Sequence, residues 1–150
     1  MADFLLTVHV LAAVLWVGGS AMLIVWGRRA LASGDTQRIV GFAREAAWIG
    51  PRIFAPLSIA LFLAGQLLLA ELDLEHETWI ILAETGWLVS FLIGVLYYGR
   101  KAKDLDRRIA EHGEDSPEVL ENVRQTSNVA VFELAILLLV VVDMTVKPFL

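Results

Sequence analysis

The sequence contains no cysteine, and its 17 acidic residues outnumber its 12 lysines and arginines. The lack of cysteine excludes disulfides, thiolate metal sites, covalently attached c-type haem and cysteine nucleophiles. The net charge of -5, without a basic stripe that tracks a phosphate backbone, argues against nucleic acid as a partner. The N-terminal MADFLLTVHV also lacks the basic segment of a secretory signal, so we interpret it as part of a retained membrane span.

Apolar residues are abundant and make up 57% of the 150 positions, against roughly 45–50% in ordinary soluble domains. The charges are segregated, which leaves four long apolar stretches at about residues 4–26, 51–70, 79–99 and 127–147. Each stretch is long enough to cross about 30 Å of hydrocarbon. A lone segment in lipid must satisfy its own backbone hydrogen bonds, which favours helix. The sequence therefore predicts an all-α fold, a single domain over 1–150 that forms a four-helix transmembrane bundle in the lipid bilayer.

The distribution of lysine and arginine predicts the orientation of the bundle. The connection after the first span contains four arginines, with Arg52 at the start of the second span, and the connection after the third span contains six basic residues. The acidic link at 71–78, ELDLEHET, contains none. Because basic connections stay in the cytoplasm, we predict a multi-pass protein of the inner or plasma membrane with both termini outside the cytoplasm.

The basic connections have the signals of ordered helical hairpins. Ser33-Gly34-Asp35 is typical of a turn between helices, and Gly113 stands where a helix C-cap is expected. Ser116-Pro117 combines an N-cap with proline at the first helical position. We therefore predict that helical hairpins extend past the inner leaflet, and that Pro51 and Pro56 kink the second helix near its cytoplasmic end.

Each predicted span has one polar side chain near its outer end, namely His9, Gln66, Glu84 and Asp143. At a rise of 1.5 Å per residue, all four lie roughly 6–8 Å below the outer surface. Imidazole and carboxylate groups ligate divalent metals, and histidine is also an axial ligand of haem. Because ionisable groups inside a membrane are costly, they suggest a function. The pattern predicts a metal site at His9, Glu84 and Asp143, or a cofactor pocket at His9 and Glu84 with Trp16 as its wall.

Structural explanations for the same residues remain open. His9 and Gln66 can hydrogen-bond to neighbouring helices, and Asp143 lies close enough to the interface to extend its carboxylate to water. The layer is also compatible with a proton relay. A second, inner layer contains Arg52 and Glu133, for which we predict a structural ion pair between the second and fourth spans.

The first span, HVLAAVLWVGGSAMLIVWGRR, resembles the first helix of two related membrane protein families. CopD-type proteins, which are linked to copper handling, share the histidine, the tryptophan seven residues on and the Gly-Gly pair found here at His9, Trp16 and Gly18-Gly19. HemJ-type four-helix protoporphyrinogen oxidases have a haem-ligating histidine at the matching position. The resemblance implies haem b, a copper ion or another divalent ion at His9. Haem with two histidine ligands needs His76 or a second copy of the chain.

The resemblance has departures in the third span and in the methionines. HemJ-type proteins have a lysine shortly after the tryptophan that opens helix three, whereas this region reads WIILAETG and contains none. Copper(I) favours sulfur ligands, and beyond the initiator the chain has only Met22 and Met144. Catalysis is therefore left open, with a HemJ-like oxidoreductase as one alternative.

The leading hypothesis is a membrane protein that binds haem b or a metal ion through His9 near the outer face. The alternative is an accessory or structural subunit, with no cofactor of its own, in a larger membrane complex or a homodimer. A single narrow polar layer is not a continuous polar stripe, which disfavours a channel or transporter.

Overall fold

The computed structural model describes residues 1–74 and 77–147, which are helical apart from short turns and contain no strand. There are six α-helices: α1 (Ala2–Ser33), α2 (Thr36–Ile49), α3 (Ala55–Glu71), α4 (Thr78–Leu92), α5 (Gly99–His112) and α6 (Pro117–Val146). A π-helical segment, Gly50–Phe54, joins α2 to α3, and a second, Ile93–Tyr98, joins α4 to α5. The chain therefore forms four long helical rods, each long and apolar enough to cross a membrane. The predicted all-α four-helix bundle is confirmed.

The four rods pack as an antiparallel bundle. Helix α1 packs mainly on α3 and also contacts α6, while α4 packs on α6 and α3. One end of the bundle, which we call the terminal end, contains Met1, the end of α3, the start of α4 and the end of α6. The other, the hairpin end, contains the turns α1–α2 and α5–α6. Large apolar side chains such as Phe4 and Leu139 remain about two-thirds exposed on the outside, as expected of a surface that meets lipid.

The turns at the hairpin end follow the capping chemistry predicted from the sequence. Gly34 ends α1 with a φ of 66°, and the Asp35 side chain accepts hydrogen bonds from the first backbone N–H groups of α2. Gly113 ends α5 with a φ of 85°, and the Ser116 hydroxyl accepts a hydrogen bond from Val119 N. A left-handed φ is tolerated best by glycine. These contacts close both hairpins.

The hairpin end has an apolar core of its own, formed by α1, α2, α5 and α6. Its buried side chains are Ala30, Ile39, Val40, Leu105, Val119 and Val123. Beside this core, Asp104 accepts hydrogen bonds from Arg108 Nε at 2.7 Å and Asn122 Nδ2 at 2.9 Å, and also pairs with Arg107. The hydrogen bond from Arg108 is the main reason that the pKa of Asp104 is below its ordinary value. The helices therefore continue as a packed unit beyond the apolar spans.

Proline explains the break in the second rod. Pro51 has no backbone N–H and cannot donate the hydrogen bond that an α-helix requires there. The chain widens to a π-helix over Gly50–Phe54, and α3 then begins at Ala55, directly before Pro56. The sequence predicts a kink at Pro51 and Pro56, and the structure has a π-helical segment, Gly50–Phe54, at this point. The segment at Ile93–Tyr98 has no proline and was not anticipated.

Glycine allows the helices to approach closely at three positions. A Cβ added at Gly19 would lie 2.8 Å from the Phe54 ring, and one at Gly27 would lie 2.7 Å from Phe42. A Cβ at Gly86 would collide with Val140. Small residues commonly serve this purpose between membrane helices. Gly18 and Gly19 give α1 a face without side chains, which we call its thin face. At Gly19 this face is filled by the Phe54 ring.

Candidate functional site

His9 lies half-buried between α1 and α3. Its Nδ1 is 2.9 Å from the Leu61 carbonyl oxygen, so Nδ1 carries the proton and donates. The ring also lies against Gly65, where an added Cβ would come within 3.1 Å of Cε1. Nε2 has no hydrogen-bond partner among the residues that the structure describes. His9 thus joins two helices through Nδ1, and its Nε2 is not used by any described residue.

Gln66, Glu84 and Asp143 lie toward the same end of the bundle as His9. Gln66 Nε2 donates a hydrogen bond to Glu84 Oε1 at 2.6 Å, which connects α3 to α4. Asp143 is on α6, and its Oδ2 is buried without a hydrogen-bond partner in the described part of the chain. The interhelical role considered for Gln66 is therefore observed.

The predicted metal ligands do not gather into one group. Within residues 1–74 and 77–147, no cluster of three or more histidine, aspartate or glutamate side chains is placed to hold a metal ion. His9, Glu84 and Asp143 therefore do not form a three-ligand site. Glu75 and His76 of the acidic link, the second of them a possible haem ligand, lie outside the described residues. Trp16 was predicted as the wall of a pocket at His9 and Glu84. It is buried, but it lines a cavity that neither of those residues lines.

The ion pair predicted between Arg52 and Glu133 is not observed, because each residue has another partner in the structure. Glu133 is 8% exposed and accepts a hydrogen bond from the Tyr98 hydroxyl at 2.6 Å. Arg52 is exposed, and its guanidinium lies 5.0 Å from the centroid of the Trp48 ring. A long arginine side chain can reach the interface and stay hydrated. A neutral phenol satisfies the buried carboxylate without the cost of burying a second charge.

A cavity of about 340 Å³ lies among all four rods, in the half of the bundle toward the hairpin end. We call it the central cavity. Both π-helical segments line it, through residues that include Pro51, Phe54, Gly94 and Tyr98. Its aromatic walls also include Trp16, Phe42 and Phe91, and its polar side chains are Ser20, Ser58, Ser90, Lys101, Asn122, Thr126, Ser127 and Glu133.

Two hydroxyls in the central cavity lack partners. Ser90 is 1% exposed and Ser127 is 7% exposed, and the Oγ of each has no hydrogen bond within the described residues. A buried polar group without a partner costs about 1–3 kcal/mol. Serine in a helix ordinarily bonds to a carbonyl one turn back. Both serines therefore border the cavity with hydroxyls that are buried and have no partner among the described residues.

One wall of the cavity is reinforced by stacked aromatic rings. Trp87 stacks on Phe62 with centroids 4.0 Å apart and on Phe91 with centroids 5.3 Å apart. Its Nε1 donates a hydrogen bond to the Ser58 carbonyl at 3.0 Å. These contacts tie α3 to α4 behind the cavity and hold Phe91 in place.

The central cavity has the composition of a small-molecule site. Such sites are mostly apolar, contain a few placed polar groups and enclose about 300–1,000 Å³. Sequence reasoning singled out Trp16 and Glu133 but assigned them to separate layers, and it missed Ser90 altogether. The signal available in the sequence was a glutamate, Glu133, within an apolar span.

Comparison with known proteins identifies one family. The family described as a predicted integral membrane protein, DUF2269, matches residues 3–148. No curated protein and no solved structure matches the chain.

Because Tyr98 donates a hydrogen bond to Glu133, the effect of Tyr98→Phe on stability should depend on whether Glu133 is present. In the wild-type background this variant should lower the midpoint of thermal unfolding of the detergent-purified protein, because it removes a hydrogen bond between two rods and such a bond contributes about 0.5–1.5 kcal/mol. In a Glu133→Leu background the same change should have little effect, because the carboxylate that accepts the bond is gone.

Arg52→Gln is the matched control for this cycle. Because Arg52 does not contact Glu133, its effect should be the same in both backgrounds. Equal losses from Tyr98→Phe in the two backgrounds, or coupling of Arg52 to Glu133, would contradict the geometry.

Proposed function

The chain belongs to the DUF2269 family of predicted integral membrane proteins, and for this integral membrane protein we propose the binding of a small, predominantly apolar molecule with one hydrogen-bonding group. The site is the central cavity. The observation that carries the proposal concerns Ser90 and Ser127, which border the cavity that Glu133 also lines: their hydroxyls are buried and have no partner within the described residues.

The surroundings of the cavity favour a ligand that comes from the lipid phase. Most of the lining side chains are apolar, and aromatic rings from five helical segments supply large contact surfaces. Burial of apolar ligand surface contributes about 25 cal/mol per Å² before the costs of association. A polar group on the ligand would satisfy the serine hydroxyls and fix its orientation.

The carboxylate of Glu133 adds selectivity. Its bond from Tyr98 holds it against the cavity, where it accepts hydrogen bonds in a poorly hydrated setting. A ligand with a hydroxyl or amide N–H near this carboxylate is favoured over a pure hydrocarbon. A ligand with its own carboxylate is disfavoured, because two like charges would be buried together.

Native mass spectrometry of the protein released from detergent tests this proposal. We expect the wild-type protein to retain a molecule of defined mass, and Ser127→Leu to reduce its retention at least about tenfold, because the added side chain fills the cavity and removes a hydroxyl. Thr145→Leu is the control, since Thr145 is exposed on the same helix and lies outside the cavity. Equal retention by both variants, or a wild-type protein with no bound molecule, would overturn the proposal.

His9 supports a second candidate, the binding of haem b or a metal ion. A histidine whose Nδ1 donates to a backbone carbonyl is held in the tautomer that presents Nε2 to a metal. The resemblance of the His9-to-Gly19 stretch to CopD-type and HemJ-type proteins favours the same residue. The described residues supply only this one histidine within the apolar bundle, and Phe54 occupies the thin face at Gly19. The described residues therefore fit a single axial ligand and do not fit a metal site with three or more protein ligands.

An absorption spectrum and metal analysis of the purified protein separate the candidates. If His9 is a ligand, a Soret band or stoichiometric metal is expected in the wild type and in the exposed-site control His112→Ala, and it should be lost in His9→Ala. A colourless, metal-free protein removes this candidate. Co-purification with fixed partner subunits in that case would favour the accessory-subunit alternative.

We also propose that the hairpin end faces the cytoplasm. The fold gathers both basic connections at this end, whereas the terminal end has the acidic Glu71 and Asp73. A bundle of this kind is oriented by its lysines and arginines. Both termini would then lie on the outer side of the inner or plasma membrane.

The cysteine-free chain allows a direct test of orientation. Asp73→Cys and Asp115→Cys each place one thiol at an exposed position, the first at the terminal end and the second at the hairpin end. With a membrane-impermeant maleimide, intact cells (spheroplasts if there is an outer membrane) should label Asp73→Cys, and Asp115→Cys should react only after lysis. The reverse pattern would contradict the proposed orientation.

A further inference from the structure

A basic groove lies where the third rod leaves its apolar region. It encloses about 550 Å³ and is lined by Tyr97, Arg100, Lys101, Lys103, Asp104 and Arg107. The positions 97, 100, 103–104 and 107 recur at helical spacing, so their side chains share one face of the helix. We call this face the α5 groove. It is distinct from the central cavity, although Lys101 borders both.

The groove has uncompensated positive charge. Arg100 and Lys103 are exposed and form no ion pair or hydrogen bond within the described part of the chain. Lys101 donates a hydrogen bond to Gln125 at 2.7 Å, and its ammonium lies 5.8 Å from the Tyr97 ring centroid. Neither contact neutralises it. Asp104 is the one acid in the groove, and it is already bonded to Arg107, Arg108 and Asn122.

Apolar side chains adjoin the groove on the side of the membrane. Leu92 and Leu96 are 43% and 48% exposed on the turns that precede Tyr97, whereas Val95 lines the central cavity. A lipid with an anionic headgroup in the groove would therefore contact cations with its headgroup and apolar side chains with its acyl chains. Free phosphate would use only the first of these features. Clusters of lysine and arginine next to a membrane helix attract anionic lipids.

We propose that the α5 groove binds the phosphate headgroup of an anionic phospholipid. Arg100 and Lys103 contribute the free charges, and arginine can bind phosphate oxygens through two parallel N–H groups. Tyr97 lies at the boundary where aromatic side chains favour the headgroup level. This site does not depend on the function proposed for the central cavity.

Native mass spectrometry of the full chain in detergent, titrated with phosphatidylglycerol or with phosphatidylcholine of identical acyl chains, tests the site. We expect tighter binding of phosphatidylglycerol to the wild-type protein. The double variant Arg100→Gln/Lys103→Gln should weaken it about 25-fold, at about fivefold for each removed charge. The affinity for phosphatidylcholine should change little.

The matched control is Arg28→Gln/Arg29→Gln, which removes two exposed arginines at the end of the first apolar span and outside the groove. It should retain the wild-type preference. Equal weakening in both double variants, equal binding of the two lipids, or unchanged binding in Arg100→Gln/Lys103→Gln would overturn the proposal. Release of phosphatidylglycerol by millimolar inorganic phosphate would also overturn it, because the groove would then be a site for soluble phosphate. Thermal unfolding without lipid verifies that both variants are folded.

Discussion

The absence of hydrogen-bond partners in hydrocarbon is the constraint on which the whole structure depends. Each backbone N–H and C=O in the apolar region must find its partner within the segment, and four continuous helical rods meet this requirement. Even where Pro51 prevents a regular α-helical bond, the chain remains helical by widening to a π-helix. The turns with left-handed glycines occur at the hairpin end, beyond the apolar spans.

Within that constraint, side chains must join the rods without the hydrophobic effect that operates in water. Four polar contacts do so at different levels: His9 to the Leu61 carbonyl, Gln66 to Glu84, Trp87 to the Ser58 carbonyl, and Tyr98 to Glu133. Each contact crosses between two rods, and such bonds contribute modestly in membranes. By contrast, two serines of the central cavity, Ser90 and Ser127, have no such bond among the described residues. This difference distinguishes a site that can accept a ligand from contacts that only hold the bundle together.

Local chemistry made the helices and turns predictable. The long apolar stretches, the Gly34 and Gly113 caps and the Ser116 N-cap all act within a few residues, and the structure places each as expected. The partner of Glu133 was not predictable in the same way. Helical rise gives the depth of a residue but not the direction of its side chain, and the π-helical segments change that direction. The central cavity depends on the space left among four rods, which no single motif encodes. The ligand at His9 and the membrane orientation stay predictions.

The contact between Gly86 and Val140 has an evolutionary consequence. In a soluble protein the large buried side chains are substituted least often. Here many large side chains face lipid, where one apolar residue can replace another. At Gly86 even a single methyl group would meet Val140, and Phe54 and Phe42 impose the same limit on Gly19 and Gly27. Substitution among descendants of this sequence should therefore be slowest at its smallest residues and fastest at its bulkiest.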